Sequence, residues 1–340
     1  MTVLKASKSD LRKLLEAIAG EKRLIAPVAD RTGVSFAEIA DPAEICFEYR
    51  NPRMSARSAL FPQSEVLLTF DGEAAADAQP EYRETVLFGV RPCDARAFTM
   101  LDRVFSWEGT DDPYYLGRRQ ATTVISLACN ESGAACFCTS VGGAPHDETG
   151  SDILVVDLGD DVLLRPVSKK GEALLATFAT GTKEASEADL DQAAKLAEAA
   201  KAGQPDVAIP TDLEGLKKLF DSDVWQEFAM TCLGCGACTY SCPTCHCFDI
   251  TDEEKRGVGY RVRSWDTCAF PLFTLHGSGH NPRPAKNARV RQRVLHKFLY
   301  CPENFEQVFC VGCGRCVTNC PTGIDIRKIL GRVNQLVASG

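Results

Sequence analysis

The sequence predicts an α+β protein in which a mixed α/β domain precedes a smaller, helical and cysteine-rich domain. Seven short β-rich runs, with one helical segment among them, occupy residues 1–170. The last third of the chain carries most of the 17 cysteines and a doubled sequence unit. A chain of 340 residues also exceeds the usual size of one domain. We therefore expect an α+β domain over 1–170, a helical linker over 171–211, and a cysteine-rich domain over 212–340 with an insertion at 248–309.

The elements of the first domain follow from hydrophobic patterning. A helix is expected over Ser9–Gly20, with Ser9 as its N-cap and leucines 11, 14 and 15 on one face. A second helix, "CDARAFTMLDRVF", follows a strand directly. The runs that favour strands are "RLIAPVAD", "EICFEY", "SEVLLTF", "ETVLFGV", "TTVISLAC", "DILVVDLG" and "DVLLRPV".

Three further helices are expected towards the C-terminus. The linker contains "SEADLDQAAKLAEAAKAG", which is rich in strong helix formers. An amphipathic helix, "DLEGLKKLFDSDVWQEFAM", leads into the first cysteine motif, and "IDIRKILGRVNQLVAS" closes the chain.

Composition excludes several classes of protein. No apolar run approaches the roughly 18 residues that a membrane span needs, and mean hydropathy is −0.12. The N-terminus lacks the apolar core and cleavage site of a secretory signal. A net charge of −8 argues against a general nucleic-acid-binding protein. We therefore expect a cytoplasmic protein, and in a reducing compartment cysteines at this density favour metal binding over disulfides.

The doubled unit has the spacing of a bacterial ferredoxin motif. "CLGCGACTYSCPT" and "CVGCGRCVTNCPT" both follow C-x2-C-x2-C-x3-C-P, which binds [4Fe-4S] clusters. In two-cluster ferredoxins the fourth cysteine of each run ligates the other cluster, and we expect it to open a helix that points away from its own loop. The sequence thus predicts a dicluster ferredoxin-like domain with two ligand sets: Cys232, Cys235, Cys238 and Cys320 for cluster 1, and Cys310, Cys313, Cys316 and Cys242 for cluster 2.

Two other readings of the first unit are less consistent with its pattern. Zinc sites also use C-x2-C pairs, but they rarely place a fourth ligand before proline. The stretch Cys242–His246 matches the C-x-x-C-H signature of haem attachment. Haem attachment at Cys242 would break the repeat, so we assign this residue to a cluster.

An insertion separates the two halves of the repeat. Between Cys242 and Cys310 the chain also carries Cys245, Cys247, Cys268 and Cys301, whose roles the sequence leaves open between a further metal site, exchangeable cluster ligands and a reactive dithiol. The insertion contains "HNPRPAKNARVRQRVLHKF", a cationic stretch with no acidic residue. This stretch is expected to offset the anionic clusters, to dock an acidic partner subunit, or to be a solvated helix face.

A third ligand set is expected in the N-terminal domain. Cys93 follows one predicted strand and Cys129 ends the next, so neighbouring strand ends bring them together with Cys136 and Cys138. We interpret these four as ligands of a third [4Fe-4S] cluster; the alternative is four buried thiols. Cys46, in a strand-like run, is expected to lie in the core.

The motifs together resemble the β subunit of soluble sulfhydrogenases. That family also includes a subunit of anaerobic sulfite reductase and the iron-sulfur subunit of flavin oxidoreductases linked to heterodisulfide reductase. The resemblance covers nearly the whole chain, and Cys301 lies outside its motifs. These motifs are "LFPQSE", "GVRPCDARA", "DPYYLGRR", "CFCTS", "CLGCGACTYSCPTCHCFDI", "WDTCAF", "HNPRP", "RQRVLHKF" and "CVGCGRCVTNCPTGIDI".

The resemblance implies an electron-transfer subunit of a hetero-oligomer in anaerobic metabolism. Electrons would pass between an FAD- and NAD(P)-binding flavoprotein and a hydrogenase, heterodisulfide reductase or sulfite reductase-type subunit. The chain has no G-x-G-x-x-G and no P-loop motif, so we expect no flavin, no nucleotide and no catalytic residue here. Two alternatives stay open: an enzyme that reduces disulfides or sulfur compounds at an unusual cluster or at Cys245, Cys247 and Cys268, and a redox-sensing or assembly component.

Overall fold

The computed structural model describes residues 2–71, 74–78 and 82–339. The chain forms two compact units, each assembled from separate stretches. The first unit comprises Met1–Leu60, Tyr82–Asp206 and Val311–Gly314. The second comprises Phe61–Glu81, Val207–Cys310 and Arg315–Gly340. The expected linker is thus divided, since it belongs to the first unit as far as Asp206.

The first unit is built on a mixed sheet. Its strands are β1 (Leu4–Ser7), β2 (Arg23–Asp30), β3 (Gly33–Ile39), β6 (Thr85–Val90), β9 (Thr122–Leu127), β10 (Ile153–Asp157), β11 (Asp161–Pro166) and β12 (Lys183–Glu184), with a separate hairpin of β7 (Ser106–Trp107) and β8 (Thr110–Asp111). Among the described residues the strand order is β12-β1-β11-β10-β9-β6-β2-β3. The central strands β2, β6, β9 and β10 run parallel, and the outer pairs are antiparallel.

Helices cover this sheet. They are α1 (Lys8–Glu21), α2 (Pro92–Phe105), α3 (Pro113–Ala121), α4 (Lys169–Phe178) and α5 (Glu187–Ala202), and 3-10 turns span Pro42–Glu44, Ala56–Ala59 and Cys138–Val141. One core cluster joins Leu15 and Ile18 of α1 to Val86 and Phe88 of β6 and Phe178 of α4. The linker helix α4 is therefore part of this core.

The helix α1 begins earlier than the sequence suggested. Ser7, not Ser9, is the N-cap, and its side chain accepts a hydrogen bond from the Asp10 backbone N–H at 3.1 Å. The run "EICFEY" is not a strand either. It makes one bridge, between Ile45 and Val28, because β2 already has β3 and β6 as neighbours. Cys46 in this run is partly exposed, so the prediction that it lies in the core was wrong.

The second unit combines a small antiparallel sheet with short helices. Its strands are β4 (Ser64–Asp71), β5 (Ala74–Asp77), β13 (Phe248–Lys255) and β14 (Val258–Trp265), in the order β13-β14-β4-β5. Its helices are α6 (Leu213–Lys218), α7 (Val224–Ala229), α8 (Ala237–Tyr240), α9 (Lys286–Leu295), a π-helix (His296–Tyr300), α10 (Cys301–Phe305), α11 (Arg315–Thr318) and α12 (Ile326–Ser339). No helix in the described part of the chain has the length and apolarity needed to span a bilayer.

Tertiary pairing decides two features of this unit. The predicted strand "SEVLLTF" pairs with β14, where a buried ion pair joins Glu65 to Arg263 at 2.7 Å. The single helix expected over 212–230 is broken into α6 and α7. A turn at Leu219–Asp223 interrupts it, and the Trp225 indole N–H donates to the Leu219 carbonyl at 2.7 Å.

Candidate iron-sulfur centres

The four cysteines predicted for cluster 1 line one cavity in the second unit. These residues are Cys232, Cys235, Cys238 and Cys320. The cavity has a volume of about 80 Å³ and is otherwise mostly apolar. Arg289 and Arg293 reach its wall, and none of the described lining residues is acidic. Its thiols and cations suit an anionic, thiolate-ligated cluster.

The loop before α8 is shaped by two glycines. Gly234 and Gly236 have φ of +68° and +75°, a left-handed conformation that glycine adopts without a steric cost. The turn brings the Gly234 N–H within 3.4 Å of the Cys232 Sγ. Such N–H donors tune a cluster's reduction potential.

The fourth cysteine of each C-x2-C-x2-C-x3-C-P motif was expected to open a helix, but in the structure it follows a short helix. Cys242 comes just after α8, and Cys320 just after α11, in turns that contain the motif prolines. Burial opposes ionisation of Cys320. Hydrogen bonds from the Thr322 hydroxyl and from the backbone N–H groups of the turn nevertheless hold the pKa of this thiol below its ordinary value.

The cysteines predicted for cluster 2 are divided between the units. Cys242, Cys310 and Cys316 belong to the second unit, whereas Cys313 lies in the short stretch Val311–Gly314 of the first. Burial raises the pKa of the Cys316 thiol to about 12, and the thiols of Cys310 and Cys242 are close enough to add to this effect. Cys316 also lines the cavity of cluster 1.

A buried lysine contacts Cys242. Lys297 is 4% exposed, and its Nζ lies 3.4 Å from the Cys242 Sγ, 2.8 Å from the Thr244 Oγ1 and 3.0 Å from the Phe309 carbonyl oxygen. None of these acceptors is a carboxylate. Burial would lower the pKa of Lys297, but the neighbouring thiolates, Cys242 first, raise it above its ordinary value. Lys297 is thus a buried cation that contacts the Cys242 thiol and two oxygen acceptors.

Arg293 lies one helical turn before Lys297. Its Nη1 is 3.6 Å from the Cys245 Sγ, and it lines the walls of two cavities that contain cysteines. Arg289, another turn earlier, lines the cavity of cluster 1 and bonds the Ala269 carbonyl. These three cations, spaced by four residues, form the inward face of the basic stretch. The sequence shows the charge of these residues, and their spacing of four residues indicates that they lie on one face of a helix.

The four cysteines of the candidate third cluster line one cavity in the first unit. They are Cys93, Cys129, Cys136 and Cys138. Cys93 is the second residue of α2, which follows β6, and Cys129 follows β9, which pairs with β6 in parallel. The expected convergence at neighbouring strand ends is therefore present. The cavity has a volume of about 30 Å³.

Two amide side chains that the sequence did not single out also line this cavity. The Gln204 Nε2 lies 3.1 Å from the Cys138 Sγ. The Asn51 Nδ2 donates to the Cys313 carbonyl at 2.9 Å and lies 3.6 Å from the Cys136 Sγ. Within the first unit, a predicted ligand of cluster 2 and one of cluster 3 are thus joined through Asn51.

Close backbone packing holds Gly312 against the backbone of Phe137 and Cys138. A Cβ added to Gly312, whose φ is +62°, would lie 2.5 Å from the Cys138 backbone nitrogen. The Phe137 N–H donates to the Gly312 carbonyl at 2.8 Å. Only glycine permits this approach.

The remaining four cysteines of the second unit, Cys245, Cys247, Cys268 and Cys301, line another cavity. None of the 17 cysteines forms a disulfide. Within the described residues, no three His, Cys, Asp or Glu side chains converge at the spacing of a site for one metal ion. A [4Fe-4S] cluster requires a different arrangement, because its thiolates are distributed around a cube.

Comparison with known proteins agrees with the cysteine pattern. The model of a family described as a 4Fe-4S dicluster domain matches residues 231–324. Sulfhydrogenase 2 subunit beta of Pyrococcus furiosus is 31% identical over an alignment of 320 residues, and the alignment covers 92% of each chain. The expected family and the ferredoxin-like character of the C-terminal domain are confirmed. This chain is an iron-sulfur, electron-transfer protein that belongs to the family of sulfhydrogenase beta subunits.

Proposed function

We propose that this chain relays single electrons through three [4Fe-4S] clusters. The electrons would pass between a subunit that binds FAD and NAD(P)H and a terminal catalytic subunit of the hydrogenase, heterodisulfide reductase or sulfite reductase type. When bound, the clusters supply the one-electron chemistry. Flavin, nucleotide and terminal catalysis are assigned to other chains of a cytoplasmic hetero-oligomer.

The observation that carries the proposal is that, within each unit, predicted ligands of two clusters lie close together. The cavity of cluster 1 includes Cys316, a ligand of cluster 2, in its wall. Asn51 contacts both Cys313, another ligand of cluster 2, and Cys136 of cluster 3. Within each unit, therefore, ligands of one outer cluster lie beside a predicted ligand of cluster 2.

The protein's own part is to place positive charge and hydrogen-bond donors beside sulfur. Arg293 and Lys297 provide positive charge beside the thiolates of clusters 1 and 2. In the first unit, Asn51 and Gln204 provide amide groups beside sulfur. Hydrogen bonds and burial of this kind set reduction potentials.

The test is anaerobic purification with identification of the associated chains. We expect a flavoprotein to co-purify, and NADH or NADPH to reduce the clusters only when it is present. Cys235→Ala should interrupt electron flow through the assembled complex, whereas Cys46→Ala should leave it unchanged. About twelve iron atoms in clusters 1 to 3 are expected per chain.

Two results would contradict the proposal. A colourless, zinc-containing protein would exclude clusters. Sustained reduction of a disulfide or a sulfur compound by the isolated chain, abolished by Cys268→Ala, would favour the enzyme alternative.

A further inference from the structure

The cavity lined by Cys245, Cys247, Cys268 and Cys301 is not used by the three proposed clusters. It lies within the second unit, and the four cysteines come from three different stretches of chain. Cys268 and Cys301 are 7% and 2% exposed. Four thiols that come from three stretches of chain and share one cavity need an explanation beyond ordinary core packing.

A β-hairpin brings the first pair together. Cys247 immediately precedes β13, and Cys268 follows β14. The ladder that pairs Phe248 with Trp265 continues through a hydrogen bond from the Asp266 N–H to the Cys247 carbonyl at 3.0 Å. The two thiols meet at the base of this hairpin, where their side chains share a hydrogen bond.

The other two thiols are placed by different elements. Cys245 lies in the turn after Cys242, and these two side chains also share a hydrogen bond. Cys301 begins α10 directly after the π-helix His296–Tyr300. π-Helical turns are rare in proteins. Where they occur, they are often found at functional sites.

The charges at this cavity are those that an anionic group needs. Arg293 and Lys297 both line it, and the Arg293 Nη1 lies 3.6 Å from the Cys245 Sγ. No lining residue in the described part of the chain is acidic. Arg293 and Lys297 thus place positive charge beside these thiols, and a thiolate-ligated cluster here would supply the opposite charge.

We propose that Cys245, Cys247, Cys268 and Cys301 ligate a fourth [4Fe-4S] cluster. Thiolate is the ligand class that such clusters use. The free space is about 10 Å³, so the paired thiols of Cys247 and Cys268 turn apart about their side-chain bonds to receive the cluster. Cys268 also lines the cavity of cluster 1, which places the fourth cluster beside the first.

The test compares metal content between variants of the full chain, purified anaerobically with its partners. Iron, acid-labile sulfide and zinc are measured for wild type, Cys247→Ala, Cys268→Ala and Cys301→Ala. Each variant should lose about four iron and four sulfide per chain. The matched control, Cys46→Ala, removes a thiol outside every cavity described above and should lose none.

Spectra and thermal unfolding separate a lost cluster from a lost fold. A folded variant keeps the electron paramagnetic resonance signals of the other clusters and the control's unfolding midpoint. Cys247→Ser, which keeps an oxygen ligand, should retain a cluster with an altered signal.

Three results would overturn the proposal. The first is a folded Cys247→Ala protein with the iron content of the wild type, and the second is a variant that loses one zinc in place of four iron. The third is a Cys247–Cys268 disulfide in the wild type together with no loss of iron in the variants. The difference between variant and wild type does not depend on the partner chains. A failed electron relay and a missing fourth cluster are therefore distinguishable.

Discussion

Replacing Lys297 with methionine should make cluster 2 harder to reduce. Methionine has a similar length and removes the positive charge that lies 3.4 Å from the Cys242 Sγ. An added electron makes the cluster more negative, so loss of a nearby cation destabilises the reduced form more than the oxidised form. The Phe309 carbonyl also accepts from the Thr244 hydroxyl at 2.7 Å, so it keeps a hydrogen-bond donor in the variant.

The size of the shift follows from Coulomb's law. The added charge spreads over the cluster, so we take an effective separation of about 6 Å and an effective dielectric constant of about 20, which gives about 2.8 kcal/mol. For a one-electron step, about 1.4 kcal/mol corresponds to about 59 mV. We therefore expect the potential to fall by about 120 mV.

The assay is a redox titration of the anaerobic protein followed by electron paramagnetic resonance. Lys297→Arg keeps the charge and should stay near the wild-type potential. Lys218→Met removes an exposed lysine and should cause no shift, because solvent screens it. A change below about 20 mV, or an increase, in a Lys297→Met protein with full iron content would refute the reasoning.

Three further predictions concern the scaffold. Gly312→Ala should lower iron content, because its Cβ meets backbone at 2.5 Å; Gly323→Ala also has a positive φ but nothing within 4 Å, and should keep its iron. Glu65→Gln should destabilise the second unit by about 3 kcal/mol in urea unfolding, since it removes the negative charge that faces the buried Arg263 guanidinium; an effect below about 1 kcal/mol would contradict burial of the pair. Ser7→Ala should cost about 1 kcal/mol of stability and Ser9→Ala almost none, as measured by thermal unfolding, and the reverse order would restore the N-cap read from sequence.

Much of the site could be read from local spacing. The predicted ligands Cys232, Cys235 and Cys238 lie within seven consecutive residues, so their pattern is independent of distant contacts. The location of Cys93 and Cys129 in one cavity was also predictable. Neighbouring parallel strands end at the same edge of a sheet, and β6 and β9 do so here.

What the sequence by itself determined was therefore the fold class, the cluster motif, the family and most strands. Tertiary structure alone decided that β4 pairs with β14 across a separation of nearly 200 residues, and that Lys297 is buried against Cys242. A run of basic residues has the same letters whether its helix faces water or sulfur. The facing surfaces are assembled from distant segments, and their packing fixes which charges are buried.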